Sequence, residues 1–271
     1  MVYRASKSVW VFGEKIEKAW GIKKWIGWKD QDKDVLFFGM YEIEDYQVFH
    51  NTDNKKTIFW CGSDIPRIFM NPERLRIIQA YPETEHWVET EHQAEELKQA
   101  GIKAHISPSF LENINDFPLC FKPSETPSIW LSGHPNREEE YGFNLAKRMA
   151  IRFPNVKFHL YGVDSHESNG ECPENVIYHG WVSNKQLNEE IKNYQGSIRA
   201  NQHDGASEVS FKAMLMGQYA MTYLPYKYTW QYKTEDELAE LIQRLSQTKE
   251  PNKVASDYWR GALNNFPWIK K

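Results

Sequence analysis

Short apolar runs alternate with longer amphipathic ones along this chain. In the first half, SVWVFG (8–13), DVLFFGMY (34–41), KTIFWCG (56–62), TEHWVET (84–90) and IKAHISP (102–108) are brief, aromatic or β-branched, and bounded by polar, glycine or proline residues, which predicts strands. Helical patterns lie between several of them. PERLRIIQAY opens on Pro72, suited to a first turn, and EHQAEELKQAG stops at Gly101. A proline-bearing stretch without sustained period, 111–128, reads as a linker. The pattern then restarts. SIWLSGH, VKFHLYG, VIYHGWV and GSIRA predict strands, REEEYGFNLAKRMAIRF a helix, and SNKQLNEEIKNY a second helix capped by Ser183. Such alternation, met twice, predicts an α/β protein of two Rossmann-like, doubly wound domains facing a cleft, with ligands expected where loops leave the carboxyl ends of strands.

Residues 197–226, SIRANQHDGASEVSFKAMLMGQYAMTYLPY, carry the densest chemistry. Residues 197–200 finish a strand, NQHDG turns, and Ala206, Val209, Ala213 and Met216 share one face of a helix that stops at Gly217. A helix starting beside Asp204 and Ser207 aims unpaired N–H groups and a partial positive charge at whatever faces it, which suits a diphosphate. Gly205 would let the backbone approach that ligand without a Cβ in the way. The same residues equally describe an ordinary capped helix after a glycine turn, and local chemistry leaves both readings open.

The order of motifs resembles the donor-binding domain of group 1 glycosyltransferases of the GT-B fold, of the retaining family 4-like type. The resemblance rests on Arg199, His203, Asp204, Gly205 and Ser207, followed by FKAMLMG and YAMTYLPY, and upstream on IWLSGHPNREEEYG, FPNVKFHLYG and VIYHGWVSNKQLNEEI. IFWCGSDI and HWVETEHQAEELKQAGIKAHISP resemble the later strands of the acceptor domain. It implies an acceptor-side domain at 1–122, a nucleotide-sugar donor domain at 123–255, and a tail at 256–271 that crosses back, anchored on the first domain by Tyr258, Trp259, Phe266 and Trp268. The activity implied is transfer of a sugar from a nucleotide diphosphate to an acceptor hydroxyl, with negative charge growing on the departing diphosphate.

Residue roles follow from that resemblance. Arg199, at a strand end, and Arg137, shortly after Gly133, are candidates to clamp the diphosphate, because a guanidinium offers a planar fork of donors; each also reads as a surface charge. Ser132 and Gly133 offer backbone N–H groups to the same anion, and the backbone around Trp181 and Val182 meets the nucleotide base. His203, Asp204, Gly205, Ala206, Ser207 and Glu208 complete the donor set. The family usually carries two acidic residues eight positions apart here, the first touching the sugar and the second accepting from the ribose hydroxyls. Asp204 fills the first place, but Lys212 stands in the second, and an ammonium cannot accept. Either Lys212 reaches a phosphate or Glu208, one turn earlier, supplies the acceptor. Whether the donor is a UDP- or a GDP-sugar stays open. A general base, where one is needed, should come from the first domain, with Asp64 leading and Glu89 and His50 competing. Asp64 and Asp204 are thus the catalytic candidates. No metal and no other cofactor is implied, the helix dipole and basic side chains replacing a divalent ion.

Composition changes this picture little. Lys plus Arg number 33 against 37 for Asp plus Glu, and the net charge of -4 gives no reason to expect nonspecific nucleic-acid or membrane binding. Cys61, Cys120 and Cys172 lack metal-ligand spacing, and their odd number argues against a disulfide framework. No apolar run approaches the ~20 residues of a membrane span, and no secretory signal pattern opens the chain, so a cytoplasmic location is expected. The 11 Trp suit either sugar stacking or bulky packing. KAWGIKKWIGWK (18–29) interleaves Lys and Trp as surface-binding strips do, but its glycines break the helix period and favour an acceptor-side loop. The acceptor, whether lipid-linked glycan, protein, cell-wall polymer or nucleic-acid base, is not read from sequence. The alternatives to a transferase are a non-catalytic glycan-binding or scaffold protein on the same fold, or an epimerase-like sugar-nucleotide enzyme.

Overall fold

The computed structural model describes residues 1–164 and 172–269. Residues 165–171 of the expected donor domain and 270–271 of the expected tail lie outside it. The chain divides into two compact units: Met1–Asn113 with His203–Ala206 and Ala262–Lys271, and Ile114–Gln202 with Ser207–Gly261. The first division falls inside the stretch read as a linker.

The first unit holds β1 (Val2–Ala5), α1 (Gly13–Trp20), β2 (Lys23–Lys24), β3 (Val35–Phe38), α2 (Ile43–His50), β4 (Lys56–Phe59), α3 (Ile65–Phe69), α4 (Pro72–Gln79), β5 (Glu85–Val88), α5 (Glu91–Gln99) and β6 (His105–Ile106). Its sheet is parallel throughout, in the order β2-β1-β3-β4-β5-β6. A parallel sheet is covered on both faces, so its central strands read as unbroken apolar runs. β3 shows this directly. Val35 and Phe37 enter one core with Ile58 and Trp60, while Leu36 and Phe38 enter the opposite core with Phe59. Trp268 closes the second core, fully buried against Phe59 at 4.6 Å, Trp20 at 5.4 Å and Trp87 at 6.0 Å between ring centroids.

One expected strand is displaced. SVWVFG is not a strand: Lys7–Phe12 forms 3-10 turns that lead into α1, with Trp10 70% and Val11 60% exposed. The sheet position falls to Val2–Ala5 instead, where Val2 and Tyr3 are buried. Arg4 disguises that strand in the sequence, and its charge is met by buried Asp45, Nη1 to Oδ1 at 2.5 Å. Asp45 also closes a capping box with Glu42 at the head of α2, a helix signalled in the sequence by that acidic pair three residues apart.

The second unit holds β7 (Ser128–Ser132), α6 (Glu138–Tyr141), α7 (Phe143–Arg152), β8 (Lys157–Tyr161), β9 (Val176–Gly180), α8 (Asn184–Glu190), β10 (Gly196–Arg199), α9 (Glu208–Leu215), β11 (Tyr219–Thr222), β12 (Trp230–Gln231), α10 (Glu235–Gln247) and α11 (Lys253–Ala262). Its sheet is again parallel, in the order β12-β11-β10-β7-β8-β9. Ile129, Leu131, Phe158, Leu160, Ile198 and Met221 point from it into a core shared with α7 and α10. The single helix expected over 137–153 is two, broken at Gly142, where a positive φ of 83° ends α6 and an added Cβ would stand 2.7 Å from that of Ala200. Of the aromatics expected to anchor the tail, Phe266 and Trp268 pack in the first unit. Trp259 meets Phe211 in the second, at 4.6 Å between centroids, and Tyr258 meets Tyr228 there at 5.2 Å. Among the described residues no helix is long and apolar enough to cross a membrane.

Candidate functional site

In the second unit the expected donor residues gather at the carboxyl ends of two paired strands, Ser132 ending β7 and Arg199 ending β10. The Arg199 guanidinium reaches the Ser132 carbonyl, Nη1 to O at 3.5 Å, and lies 4.9 Å from the centroid of the Tyr141 ring. Arg137 lies 5.2 Å from the same centroid. One aromatic ring thus holds two cations close together, the ring's negative face offsetting part of their repulsion. Arg137 is also forked onto Glu140, its Nε donating to Oε2 at 2.6 Å and its Nη2 to Oε1, and Asn201 donates to that Oε1 at 3.2 Å. Gly133 is required by this packing, since a Cβ there would sit 2.6 Å from the Cβ of Tyr141. Trp181, just past β9, is 67% exposed and meets the His134 ring edge-on at 5.8 Å, with Val182 half-buried beside it in sequence.

At the head of α9 the side chain of Ser207 accepts from the Ser210 N–H at 3.3 Å. Lys212 turns inward. It is 3% exposed, its Nζ stands 3.7 Å from Glu208 Oε2 and 5.5 Å from the centroid of the Phe117 ring.

His203–Ala206, the centre of the sequence motif, belongs with the first unit. Gly205 is needed there for close approach of two loops: an added Cβ would strike the Glu89 carboxylate and lie 2.8 Å from the Cys61 carbonyl. Gly62, at a φ of 113°, faces it, and an added Cβ there would stand 2.6 Å from Gly205 N. Protein atoms close on this glycine from the loop after β4 and from Glu89. The Ala206 N–H donates to Glu89 Oε2 at 2.5 Å, and the Gly205 N–H to Asp204 Oδ1 at 3.0 Å.

The three candidate bases fare differently. Asp64 is fully buried; its Oδ2 accepts from the Met40 N–H at 3.0 Å and its Oδ1 from the Cys61 N–H at 3.1 Å. Burial pushes its carboxyl up to about 6 even though these donors pull it down. In this structure the Asp64 carboxylate is engaged by main chain and holds the loop after β4. Burial pushes the Glu89 carboxyl further, to about 8, against hydrogen bonds from Ser109 and Ala206 and with a smaller upward push from Asp204. His50, at the end of α2, shares a 2.9 Å hydrogen bond between its Nδ1 and the Tyr81 hydroxyl.

Two features escaped the sequence reading. His203 Nε2 lies 3.0 Å from both oxygens of Glu96, and His92 Nε2 lies 3.5 Å from Glu96 Oε1, so three potential metal ligands gather in the first unit. The i,i+4 spacing of His92 and Glu96 on a predicted helix was the available signal; the arrival of His203 required the fold. The same unit also carries an open cavity of about 650 Å³ lined by Arg4, Trp10, Glu14, Glu17, Lys24 and Trp25, which includes part of the Lys/Trp-rich stretch. Closely spaced carboxylates at Asp30, Asp32 and Asp34 are a further pattern with metal-binding potential, but Asp30 is committed to the Ile26 N–H at 2.7 Å and to Lys33 at 2.8 Å.

No protein-family model matches the chain, and no curated protein is a match. Solved structures do match. HepE (Alr3699) of Anabaena, crystallised with UDP, superposes with a TM-score of 0.64 at 12% identity, over 86% of this chain and 75% of that one. The lipopolysaccharide outer core galactosyltransferase WaaB gives 0.61 at 13% identity, over 94% and 76%. TarM gives 0.60 at 14%, over 86% of this chain, which spans only 51% of TarM. With its two parallel six-stranded sheets, the chain has the GT-B fold of group 1-like glycosyltransferases.

Proposed function

We propose that this protein is a glycosyltransferase that takes a sugar from a nucleoside diphosphate, with UDP the favoured carrier. The observation that carries the reading is the paired guanidiniums of Arg137 and Arg199 on Tyr141, at the carboxyl ends of β7 and β10. Ligands of open α/β sheets bind at this edge, and a fork of donors meets a diphosphate better than a point charge does. The structurally similar HepE and S. aureus TarM were both crystallised with UDP. In this reading Arg199 and Arg137 neutralise the departing diphosphate, taking the place of a divalent ion there, and Ser132 and Gly133 offer it backbone donors. Trp181 and Val182 meet the base. Glu208, held by Lys212, stands in for the second acidic residue and accepts from the ribose hydroxyls. Asp204 serves the sugar, and Gly205, Ala206 and Ser207 hold the turn that presents it. The cavity with Trp10 and Trp25 suits a sugar acceptor, an indole face stacking on the ring and carboxylates and cations binding hydroxyls at its rim.

A non-catalytic glycan-binding protein on the same fold is the second reading, favoured by the sealed carboxylate of Asp64 and the inward turn of Lys212. Thermal unfolding in the presence of UDP, GDP, ADP and their sugars tests both, because a ligand that binds only the folded state must raise its stability. UDP should give the largest rise, and Arg199→Ala should abolish it. Slow hydrolysis of a UDP-sugar by the purified chain then identifies the enzyme; binding without any turnover identifies the scaffold. A folded Arg199→Ala variant that responds to UDP as the parent does refutes the diphosphate assignment.

A further inference from the structure

We infer that His92, Glu96 and His203 form a transition-metal site on the first unit, of the kind that takes zinc. His92 and Glu96 lie four residues apart on α5, hence on one face of the helix. His203 comes from the distant turn His203–Ala206, which the Glu89 contact to the Ala206 N–H pins in the same unit. The spacing fits an ion. His203 Nε2 stands 3.0 Å from each Glu96 oxygen, His92 Nε2 stands 3.5 Å from Oε1, and all three ligand atoms lie within 4.8 Å of one another. Zinc bonds of about 2.0–2.2 Å to nitrogen and oxygen place neighbouring ligand atoms of a tetrahedron about 3.3–3.6 Å apart. Sub-ångström adjustments of side chains therefore bring three ligands onto one ion.

The chemistry of the set selects the metal. Two imidazoles and one carboxylate suit zinc, cobalt or nickel, whereas magnesium and calcium want oxygen alone. Among the described residues no lysine or arginine is paired with Glu96, so its charge is left to the two imidazoles and to whatever cation joins them. The side chains are 45%, 21% and 27% exposed for His92, Glu96 and His203, so an ion enters directly from solvent and the fourth position stays open to water. A bound ion would tie α5 to the turn that carries Asp204. This inference is independent of sugar transfer and stands if that reading fails.

The test is titration of the chelator-treated full chain with Zn²⁺, competed against a chromogenic chelator, and with Co²⁺, whose visible bands report low-coordinate geometry. One ion per chain is expected, with no comparable response to Mg²⁺. His92→Ala removes an exposed helix side chain and should fold normally; it and Glu96→Gln should weaken binding by more than the about 10–100-fold typical of losing an outer-shell partner. His50→Ala should leave binding unchanged. Absence of Zn²⁺ and Co²⁺ binding by the parent chain, or equal affinity in the parent, His92→Ala and Glu96→Gln proteins, overturns the site.

Discussion

The two units treat their charged groups in opposite ways. In the first, Asp64 is fully buried and Glu89 half-buried, and both are engaged by main-chain donors and raised toward the protonated form. In the second, Arg137 and Arg199 stay charged beside an aromatic ring at the open ends of strands. The difference separates positioning from binding. A carboxyl tied by backbone N–H groups fixes a loop, whereas a guanidinium at the end of a strand carries a permanent charge and a planar set of donors suited to an anion. Arg199 and Asp204 stand five residues apart in a single sequence motif, yet they fall in different units and different electrostatic settings.

The largest effect should come from the open side. Arg199→Ala should cut sugar transfer by about 10²–10³-fold, the usual loss when one stabiliser of developing negative charge is removed. Arg199→Lys should recover little of it, because an ammonium lacks the planar fork. Steady-state rates with a UDP-sugar, checked against unchanged circular dichroism, read this out. Normal rates in the alanine variant would merge the two kinds of charge and remove the contrast.

A packing change sharpens the comparison next. Gly205→Ala drives a methyl against the Glu89 carboxylate and the Cys61 carbonyl, and should destabilise the chain by about 1–3 kcal/mol in urea unfolding. Gly133→Ala presses on Tyr141 instead. Its signature should be a weakened UDP response, because the ring it displaces carries both arginines.

These glycines also mark where sequence reading stops. The strands β3, β4, β5, β7, β8 and β10 are apolar enough to announce a parallel sheet, and the two helices around Pro72 and Gly101 are punctuated at both ends. Residues at strand ends are legible too, which is how Ser132, Gly133 and Arg199 come together as expected neighbours. What a sequence conceals is the identity of the neighbour across space. Nothing in the sequence around Gly205 announces that Glu89 and Cys61 pack against it, nor around Asp64 that the Met40 and Cys61 N–H groups donate to it. Arg4 hides β1 because its partner Asp45 lies 41 residues away.

Two acids of the first unit, Asp64 buried and Glu89 half-buried, make a pH prediction whose effect is spread over several pH units. Their folded pKa values lie above the ordinary carboxyl range, about 8 against 4.5 for Glu89 and about 6 against 3.8 for Asp64. The folded state therefore holds protons that the unfolded chain releases. Their contribution to stability is complete below the unfolded values and is lost as pH rises, through about 6 for Asp64 and about 8 for Glu89. Glu89→Gln should flatten the stability profile between pH 6 and 8 and reduce the decline between about 4.5 and 6 to the share that Asp64 supplies, with a variant more stable than the parent at the alkaline end. Thermal unfolding across that range measures it, and an unaltered slope above pH 6 places the titration elsewhere.

The smallest effect is expected at Lys212, and it bears on which class of charge this residue joins. It lies in the second unit but is almost wholly buried, like Asp64 of the first, with Glu208 as its ion partner. Replacing a buried ion-pair member by an apolar residue of similar length often costs little, since its desolvation penalty disappears with it. Glu208 is about a third exposed, so solvent reaches its carboxylate in the variant. Lys212→Met should therefore change stability by less than about 1 kcal/mol, within the range of exposed pairs. The ligand response is the informative part. If Lys212 only orients Glu208 toward the ribose, Lys212→Met and Glu208→Gln should both weaken UDP binding and leave pyrophosphate binding intact. If Lys212 itself meets phosphate, Lys212→Met alone loses pyrophosphate, and the line between positioning and binding charges then runs through α9 instead of between the units.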